Sequence, residues 1–440
     1  MEWIKLLSNQ RKGQKTKAHS KARSAFEQDF DRIIFSYPFR RLQDKTQVHP
    51  LPEHDFVHTR LTHSLEVSSV GRSLGKLAGE AILSRNQSLS SQYSSHDFGA
   101  IVAAASLTHD IGNPPFGHSG EDAISEFFAH GEGAKYKNHV SKDEWEDLTH
   151  FEGNAQGFRI LNKDRYQGLR LTYATLAAFT KYPRQSKIDN KDAARKSQKK
   201  FGFFQSEKSF FETLANETGL VSLGDATWSR HPLAFLVEAA DDICYNLIDL
   251  EDGCRLGLVS YEDTVELFSL ILKDRFDEQK LNLIDSVDER IGTLRALAVG
   301  KLIEECNVLF LDNEQNLLDG KFDQALTDAI PSADVLSKVV DLSIRKIYRS
   351  RLVMETEAAG FEVLPGLLEL FTDAVLAEEK HKKHVSVIRL FPAEIQDEVN
   401  DSTADVYTKL MSCIDFVSGL TDTHAISLYR KIKGISHPNI

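Results

Sequence analysis

Apolar residues recur at helical spacing along most of this 440-residue chain. Between Thr62 and Ala81 they lie three to five positions apart, which is typical of one face of an α-helix. This pattern predicts one long helix whose buried stripe consists of Leu65, Val70, Leu74, Leu77 and Ala81.

Other segments carry the same periodicity and predict further helices. Five of them are FGAIVAAASLTHD, GHSGEDAISEFFAH, FEGNAQGFRILNK, LRLTYATLAAFT and HPLAFLVEAADDICYNLIDLEDG. The periodicity continues after Ser260, and strand signals are few. The segment VSVIRLFP (385–392) is the best strand candidate, and a helix followed by a loop fits it about equally well. The pattern as a whole predicts an all-α fold.

One segment lacks this periodicity. From Pro183 to Lys200 the chain is polar and charged and has almost no large apolar residue, so we expect an exposed insertion or a mobile loop there. We also expect a helical catalytic domain over residues 1–255, which contains this insertion. A helical C-terminal region over residues 256–440 would pack on it.

Composition narrows the class of protein without identifying a site. The formal net charge of −12 is opposite to the basic surplus of nucleic-acid-coating proteins, so we expect weak nucleic-acid binding or none. The four cysteines show no C-x-x-C spacing and suggest neither a thiolate zinc site nor a redox pair. No apolar run approaches the ~20 residues of a membrane span, and the basic N-terminus lacks the apolar segment of a signal peptide. We therefore expect a cytoplasmic protein without membrane association.

The dipeptide His-Asp occurs three times, and its context separates the three copies. The copy at 96–97 lies at a predicted helix start, where Asp97 can cap the helix. The copy at 54–55 lies in a proline-containing loop. Only His109 and Asp110 end an apolar helix, where burial of two polar side chains without partners would be costly. We therefore expect His109 and Asp110 to be metal ligands.

Two further residues supply the ligands that such a site still needs. His63 lies near the N-terminal end of the first long helix, in HTRLTHSLEV. Asp241 lies within FLVEAADDICYNLI, an apolar helix in which adjacent acids are hard to explain as packing. One helix face cannot hold both Asp241 and Asp242, because successive residues diverge by about 100°. We choose Asp241 as the ligand and expect Asp242 to stabilise the helix or support the site.

The donor set limits the kind of metal ion. Two imidazole nitrogens and two carboxylate oxygens suit a borderline or hard divalent ion that keeps open positions for water and phosphate. We expect one ion per site and favour Mn²⁺ or Mg²⁺, with Fe²⁺, Ni²⁺ and Zn²⁺ as alternatives that the sequence does not separate.

A rigid turn follows the His-Asp pair. In IGNPPFGHSGE, Gly112, Asn113 and two prolines impose a tight exit from the helix. His118 and Glu121 then lie three residues apart and share one face of the next helix. Because a carboxylate that orients an imidazole commonly forms a general acid or base near neutral pH, we predict that His118 and Glu121 are the catalytic pair.

Several strings of this sequence occur in the same order in a known family. They are FRRLQDKTQV, TRLTHSLEV, LTHDIGNPPFGHSGEDAI, HFEGNAQGFRIL, FTKYPR, FGFFQSE, EAADDICYNLIDLED and SGLTDTHAISLY. With them the chain resembles the bacterial dGTPase-like branch of the HD phosphohydrolases over nearly its whole length. The strings GNPPFGHSGE and HFEGNAQG are long and order-specific, so a chance match is negligible.

The resemblance implies an HD-domain helical bundle with a helical C-terminal region, and a role for each group of residues. The family's metal ligands fall on His63, His109, Asp110 and Asp241, and its catalytic pair falls on His118 and Glu121. Its nucleotide pocket falls on Gln47, Arg60, Asn154, Lys181, Tyr182, Tyr245 and Asp249. There Arg60 and Lys181 would neutralise phosphates, and an aromatic ring under C2′ would exclude a 2′-hydroxyl.

The implied activity is that of a metal-dependent dNTP triphosphohydrolase. Such an enzyme hydrolyses dGTP or other dNTPs at the α-phosphorus to deoxynucleoside and inorganic triphosphate. The resemblance also implies a homo-oligomer, often a hexamer, and allows for a dNTP effector. Two alternatives stay open: another HD hydrolase, such as a 5′-nucleotidase or phosphodiesterase, and a catalytically silent nucleotide sensor. The stretch between Glu121 and His150 is compressed relative to the longest members, so base preference and regulation are not carried over.

Overall fold

The computed structural model describes residues 1–14, 23–47, 58–163, 168–349 and 351–435, which form a mainly helical structure. The helices of the first half are α1 (Trp3–Leu6), α2 (Ala25–Ile34), α3 (Tyr37–Arg41), α4 (Arg60–Arg85), α5 (Gln87–Ser90), α6 (Ser95–Thr108), α7 (Gly117–Ala129), α8 (Lys142–Thr149), α9 (Gly153–Asn162), α10 (Tyr173–Phe179) and α11 (Lys208–Thr218). A small antiparallel sheet follows, formed by β1 (Ser222–Gly224) and β2 (Thr227–Trp228).

The second half is also helical. Its helices are α12 (Pro232–Arg255), α13 (Tyr261–Leu272), α14 (Glu278–Asn282), α15 (Val287–Asp312), α16 (Glu314–Leu318), α17 (Ala333–Lys346), α18 (Arg351–Leu376), α19 (Lys382–Ile388), α20 (Ala393–Asn400), α21 (Val406–Ser418) and α22 (Asp422–Ile432). The predicted all-α fold is confirmed. Among the described residues, no helix is both long enough and apolar enough to cross a membrane.

Helix α4 contains the predicted long helix, but its buried face differs from the predicted stripe. Leu65 and Leu77 are 44% and 41% exposed, so their place in the stripe was wrong. The buried face carries small residues such as Gly71 and Gly75 because α6 packs closely against it. A methyl group at Gly75 would lie 2.7 Å from the carbonyl oxygen of Phe98, so a larger side chain would push the two helices apart.

Helix α6 begins at the His-Asp copy at 96–97, as predicted. Asp97 accepts a hydrogen bond of 2.9 Å from the backbone N–H of Ser94, in a capping box at the start of the helix. Asp97 therefore caps this helix from its first turn, and Ser94 occupies the N-cap position itself. The loop predicted around the copy at 54–55 lies outside the described residues.

The best strand candidate is helical. Residues of 385–392 belong to α19 and the turn that follows it, so the strand interpretation was wrong and the helix–loop alternative is confirmed. Val387, Ile388 and Phe391 are buried in a core that they share with α18. Their apolar side chains therefore reflect packing on one side of a helix.

The polar segment predicted as an exposed insertion is exposed mainly in its middle, at residues 189–194. Near its ends Arg184 and Gln198 are buried. The Nε–H of Arg184 donates to the carbonyl oxygen of Gln198 over 3.1 Å and joins the two ends. The expected exposure is therefore wrong at both ends, because a buried guanidinium is satisfied by the segment's own backbone.

Two hydrophobic cores hold the helices together. The first lies among α2, α4, α6, α10 and α12 and extends to α13, α15 and α17. The second lies among α7, α18, α21 and α22. Both cores use residues from either side of residue 255, so the expected domain boundary there stays a prediction.

A buried ion pair links α9, in the first half of the chain, to α21, in the second half. Arg159 on α9 donates to both carboxylate oxygens of Asp415 on α21, with Nε–Oδ1 and Nη2–Oδ2 distances of 2.9 Å. Burial opposes ionisation of Asp415, but Arg159 and Lys163 outweigh it and hold the pKa of this carboxyl well below its usual range. The pair orients α9, whose second residue, Asn154, lines a cavity together with His109 and Asp110.

Candidate active site and metal centre

Helices α4, α6 and α12 bring together the four residues predicted as metal ligands. His63 lies on the first turns of α4, His109 and Asp110 follow the end of α6, and Asp241 lies in the middle of α12. The Oδ1 atom of Asp241 is 3.1 Å from Nε2 of His63 and 3.5 Å from Nε2 of His109. One ligand atom each of His63, His109 and Asp110 lie within 4.8 Å of one another.

Both carboxylates of this group are ionised. Burial opposes ionisation of Asp110, but Arg60, with Nη1 2.7 Å from Oδ2, and the two histidines hold its pKa at about 2. Burial likewise opposes ionisation of Asp241, and His109 and His63 keep its pKa well below the usual range. The group therefore presents two negative charges and two imidazole nitrogens at one point.

This donor set fits a divalent cation. The Nδ1 atom of His109 lies 2.7 Å from the carbonyl oxygen of Ser106, which leaves Nε2 free to face the other ligands. Asn113 donates to Oδ1 of Asp110 over 2.5 Å and leaves Oδ2 toward the histidines. Nitrogen and carboxylate ligands in this ratio suit Mn²⁺, Mg²⁺, Fe²⁺, Ni²⁺ or Zn²⁺, and the geometry does not separate them.

The turn after Asp110 changes the direction of the chain with two successive left-handed residues. Phe116 has φ 66° and Gly117 has φ 60°, a conformation that costs a non-glycine residue roughly 1–2 kcal/mol. At Gly117 a side chain would also lie 2.8 Å from a guanidinium nitrogen of Arg60. Helix α7 starts at once, and its second residue, His118, is exposed beside the candidate metal centre.

Glu121 makes contacts other than the predicted one. It is buried on α7, where it accepts a hydrogen bond of 2.6 Å from the backbone N–H of Gly153 and lies 3.3 Å from Nζ of Lys200. Within the described part of the chain, its side-chain hydrogen bonds go to these two residues and none goes to His118. Glu121 therefore fixes the start of α9, and its place in a catalytic pair with His118 stays a prediction.

Lys200 is a charged residue of the site that sequence reasoning missed. Its Nζ lies 3.0 Å from Oε2 of Glu152 and close to Glu121. Burial and the neighbouring Glu121 raise the pKa of Glu152 to about 7, and Lys200 opposes this rise. Lys200 ends the polar segment that was predicted to be exposed, and the only signal for it was its place directly before the string FGFFQSE.

Two adjoining cavities open around the candidate metal centre. The larger, of about 380 Å³, is lined by three of the four candidate ligands, His109, Asp110 and Asp241, together with Asn154, Lys181, Tyr182 and Lys200. The smaller, of about 240 Å³, is lined by Thr46, Phe116, Tyr348 and Glu357 among others. Gln47, Arg60, His118 and Tyr245 line both cavities, so a ligand could extend from one to the other.

Asp249 differs from the other residues predicted for the pocket, because it contributes to the wall indirectly, through its hydrogen bond to Tyr348. It accepts a hydrogen bond of 2.5 Å from the hydroxyl of Tyr348, whose ring stacks on Tyr245 at 5.8 Å. Burial is the main cause that raises the pKa of Asp249 to about 7. Tyr348 belongs to the segment between α17 and α18, so the second half of the chain contributes to this wall.

Lys181 reaches the larger cavity from the end of α10. Its Nζ lies 3.3 Å from Oε1 of Glu238, which also accepts a 2.6 Å hydrogen bond from Arg230. Asp242 lines the same cavity and accepts a hydrogen bond of 2.5 Å from the hydroxyl of Thr327. Asp242 thus lies next to Asp241 in the wall of the cavity and is bonded to Thr327, consistent with the supporting role expected for it.

His58, which directly precedes the N-cap of α4, ties this helix to α12. Its Nδ1 lies 2.7 Å from Oδ2 of Asp252, and its Nε2 lies 3.3 Å from Oε1 of Glu66. Burial opposes protonation of the imidazole, but the two carboxylates outweigh it and raise the pKa of His58 to about 10. This cationic bridge holds the N-terminal end of α4, which carries Arg60 and His63.

Comparison with known proteins shows similarity along the whole chain. Residues 60–150 match the HD domain family, whose members bind divalent metal ions, and Asp241 lies outside this range. A deoxyguanosinetriphosphate triphosphohydrolase-like protein of Synechocystis sp. is 42% identical over 99% of this chain and 100% of its own length. A protein of the same name from Pseudomonas aeruginosa is 39% identical over 100% of both chains. The deoxyguanosinetriphosphate triphosphohydrolase of Enterobacter sp. is 30% identical over 97% of each chain.

The His58 bridge predicts a pH-dependent contribution to stability. Because the pKa of His58 is raised in the folded protein, its stabilisation is fully present below the unfolded-state value of about 6.5. It is lost as the pH rises through about 10. We expect His58→Gln to lower the free energy of unfolding by about 2–4 kcal/mol near pH 6 and by much less above pH 10. Urea unfolding across this range measures the difference, with His96→Gln as the exposed control, and a difference independent of pH would contradict the bridge.

Proposed function

Because the chain belongs to the deoxyguanosinetriphosphate triphosphohydrolase-like proteins of the HD superfamily, we propose that it is a metal-dependent dNTP triphosphohydrolase. Its substrates are dGTP or other dNTPs, which it hydrolyses at the α-phosphorus to deoxynucleoside and inorganic triphosphate. The observation that carries the proposal is the convergence of two histidines and two ionised aspartates at the wall of a cavity that lysines and an exposed imidazole also line.

We assign His63, His109, Asp110 and Asp241 as the ligands of one divalent ion, with Mn²⁺ or Mg²⁺ favoured. A bound ion would polarise an oxygen of the α-phosphate and lower the pKa of a water molecule beside it. The residues of the chain supply the geometry, because Asn113 and Ser106 fix the orientations of Asp110 and His109 before anything binds. Arg60 contacts Asp110 and lies where the α-phosphate would arrive.

The triphosphate would lie along the larger cavity. Lys181 and Lys200 both line it, each beside carboxylates that keep it protonated and restrict its position. Arg60 adds a third cationic group where the two cavities meet. Asn154 and Tyr182 complete the wall and offer uncharged donors to phosphate oxygens. Cations placed before the substrate arrives can offset the charge of a polyphosphate without reorganisation.

His118 would move the proton at the reacting centre. Its imidazole is exposed and lines both cavities, and the α-phosphate would lie beside it. There it can take a proton from the attacking water or give one to the 5′-oxygen that leaves. Glu121 supports this function by holding Gly153 and Lys200 around the same point.

The deoxyribose would occupy the junction of the cavities. The side-chain oxygen of Gln47 is buried there without a hydrogen-bond partner among the described residues, so it can accept a bond from a sugar hydroxyl. Tyr245, stacked on Tyr348 and held through Asp249, would pack under C2′ and leave no room for a 2′-hydroxyl. The base would extend into the smaller cavity.

The family resemblance supports a homo-oligomer, with a hexamer as one form, and allows for a dNTP effector. We also expect a cytoplasmic location. We expect weak binding of nucleic acid or none, because the formal net charge is −12.

Product analysis tests the reaction itself. The protein is incubated with Mn²⁺ or Mg²⁺ and each of the four dNTPs, alone and in pairs, and triphosphate is separated from pyrophosphate and phosphate. We expect deoxynucleoside and triphosphate in equal amounts. Monophosphate or diphosphate products would favour another HD hydrolase, and no product in any mixture would favour a nucleotide sensor.

The variant His118→Ala tests the proton-transfer role. We expect kcat to fall about 100- to 10,000-fold, the usual contribution of a general acid or base, while metal occupancy and dNTP binding remain. His96→Ala, an exposed histidine of another His-Asp dipeptide, is the matched control and should keep full activity. Near wild-type turnover of the His118 variant would remove this residue from the mechanism.

The variant Asp110→Ala tests the ligand assignment. We expect loss of bound metal in elemental analysis, since one of two anionic ligands is removed and Arg60 is left without its partner. Asp97→Ala is the control, because it should lose about 1 kcal/mol of helix capping and keep the metal. Full metal occupancy in the Asp110 variant would refute the assignment.

A further inference from the structure

The C-terminal string SGLTDTHAISLY has no part in the site proposed above, yet it contacts that site directly. It runs from the last residue of α21 into α22. The backbone carbonyl groups at its start accept hydrogen bonds from two basic side chains near the N-terminus. Nη1 of Arg41 donates to the carbonyl oxygen of Gly419 over 2.5 Å, and Nζ of Lys45 donates to that of Ser418 over 2.9 Å. Arg41 and Lys45 both belong to the string FRRLQDKTQV, so this segment contacts the start of the C-terminal string.

Asp422 makes the contacts that reach the reacting centre. This carboxylate is 2% exposed at the first residue of α22. Its Oδ1 accepts the backbone N–H of Phe116 over 3.1 Å, and its Oδ2 accepts the backbone N–H of Thr46 over 3.0 Å. Phe116, which has a left-handed backbone conformation, lies two positions before His118, and Thr46 directly precedes Gln47.

Lys45 adds a second tie to the same turn. Its Nζ is buried and donates to the carbonyl oxygen of Asn113 over 2.5 Å, in addition to its bond to Ser418. Its own carbonyl oxygen accepts the backbone N–H of Arg60 over 3.2 Å. The turn of residues 113–117 is thus fixed at both ends by groups distant in the chain.

We propose that Asp422 is a positioning residue for His118. By accepting the N–H groups of Phe116 and Thr46 together, it holds the strained turn that directs His118 into the cavities and sets that turn against the segment of Gln47. A carboxylate is suited to this task because it offers two acceptor oxygens to two donors at once. This proposal rests on the proposed function, since it assigns to Asp422 the placement of a proposed proton-transfer group.

The test compares Asp422→Asn with Thr423→Ala. An asparagine at 422 has nearly the same shape, but its amide has one acceptor oxygen, so its NH₂ group must face one of the two N–H donors. Thr423→Ala is the matched control, because it removes a 2.8 Å hydrogen bond from the same helix to Asp44 without touching the turn. Both variants weaken the docking of α22, and only the first disturbs Phe116 and Thr46.

We expect Asp422→Asn to lower kcat about 100-fold, the loss that follows displacement of a catalytic group by about 1 Å. KM should change much less than kcat and metal occupancy should stay, because the Asp422 side chain bonds the N–H groups of Phe116 and Thr46 and not the candidate ligands or the lysines of the cavity. Thr423→Ala should keep the kcat of the wild type. Unchanged kcat in the Asp422 variant, or an equal loss in both variants, would overturn the proposal.

Hydrogen exchange gives a readout that does not depend on the reaction. Peptides covering residues 113–121 should exchange faster in Asp422→Asn and at the wild-type rate in Thr423→Ala. If the wild-type protein releases no triphosphate, the proposed function fails, and the exchange rates alone decide the positioning role. Should the asparagine variant not fold, Asp422→Glu retains two acceptor oxygens and is expected to fold with a smaller loss of kcat. In that variant, a loss of kcat without faster exchange of residues 113–121, or faster exchange with wild-type kcat, would overturn the proposal. Values of kcat and exchange that change together, or that both stay at the wild-type level because the two acceptors are kept, support it.

Discussion

Two ionised carboxylates buried beside two imidazoles dictate how the central helices of this protein must come together. Removing a carboxylate from water costs several kcal/mol unless charges and hydrogen bonds compensate. Arg60 and Asn113 compensate Asp110, while His63 and His109 compensate Asp241. These contacts are short only if three helices that are distant in sequence come close together. The small residues on the buried face of α4 permit that approach.

The same principle organises the charges around the larger cavity. Each lysine that lines it has a carboxylate partner behind it: Glu238 for Lys181, and Glu152 for Lys200. The carboxylates keep the ammonium groups protonated and restrict their movement, so the cavity offers fixed cations beside the anionic candidate metal centre. The proposed binding of a divalent cation together with a polyphosphate needs charges of both signs at fixed, separate positions.

The site is assembled from nearly the whole chain. The HD domain match covers residues 60–150, which contain His63 and His109. The walls around them need α12, the segment with Tyr348, and the start of α22. The similarity to the Synechocystis relative likewise extends beyond the HD domain and covers 99% of the chain. The second core, formed by α7 with the C-terminal helices, carries the turn that presents His118.

Local sequence patterns were enough to predict the helical class and to select the histidines and acids that meet at the site. Helical periodicity is a local property, and polar ligands within apolar helices are conspicuous because burial without partners is costly. Packing between distant segments was needed to establish which face of α4 is buried, that residues 382–388 are helical, that Glu121 binds Gly153 and Lys200, and that Asp422 reaches Phe116. These features depend on contacts between residues far apart in the chain, and local spacing carries no information about which distant partner a side chain will meet.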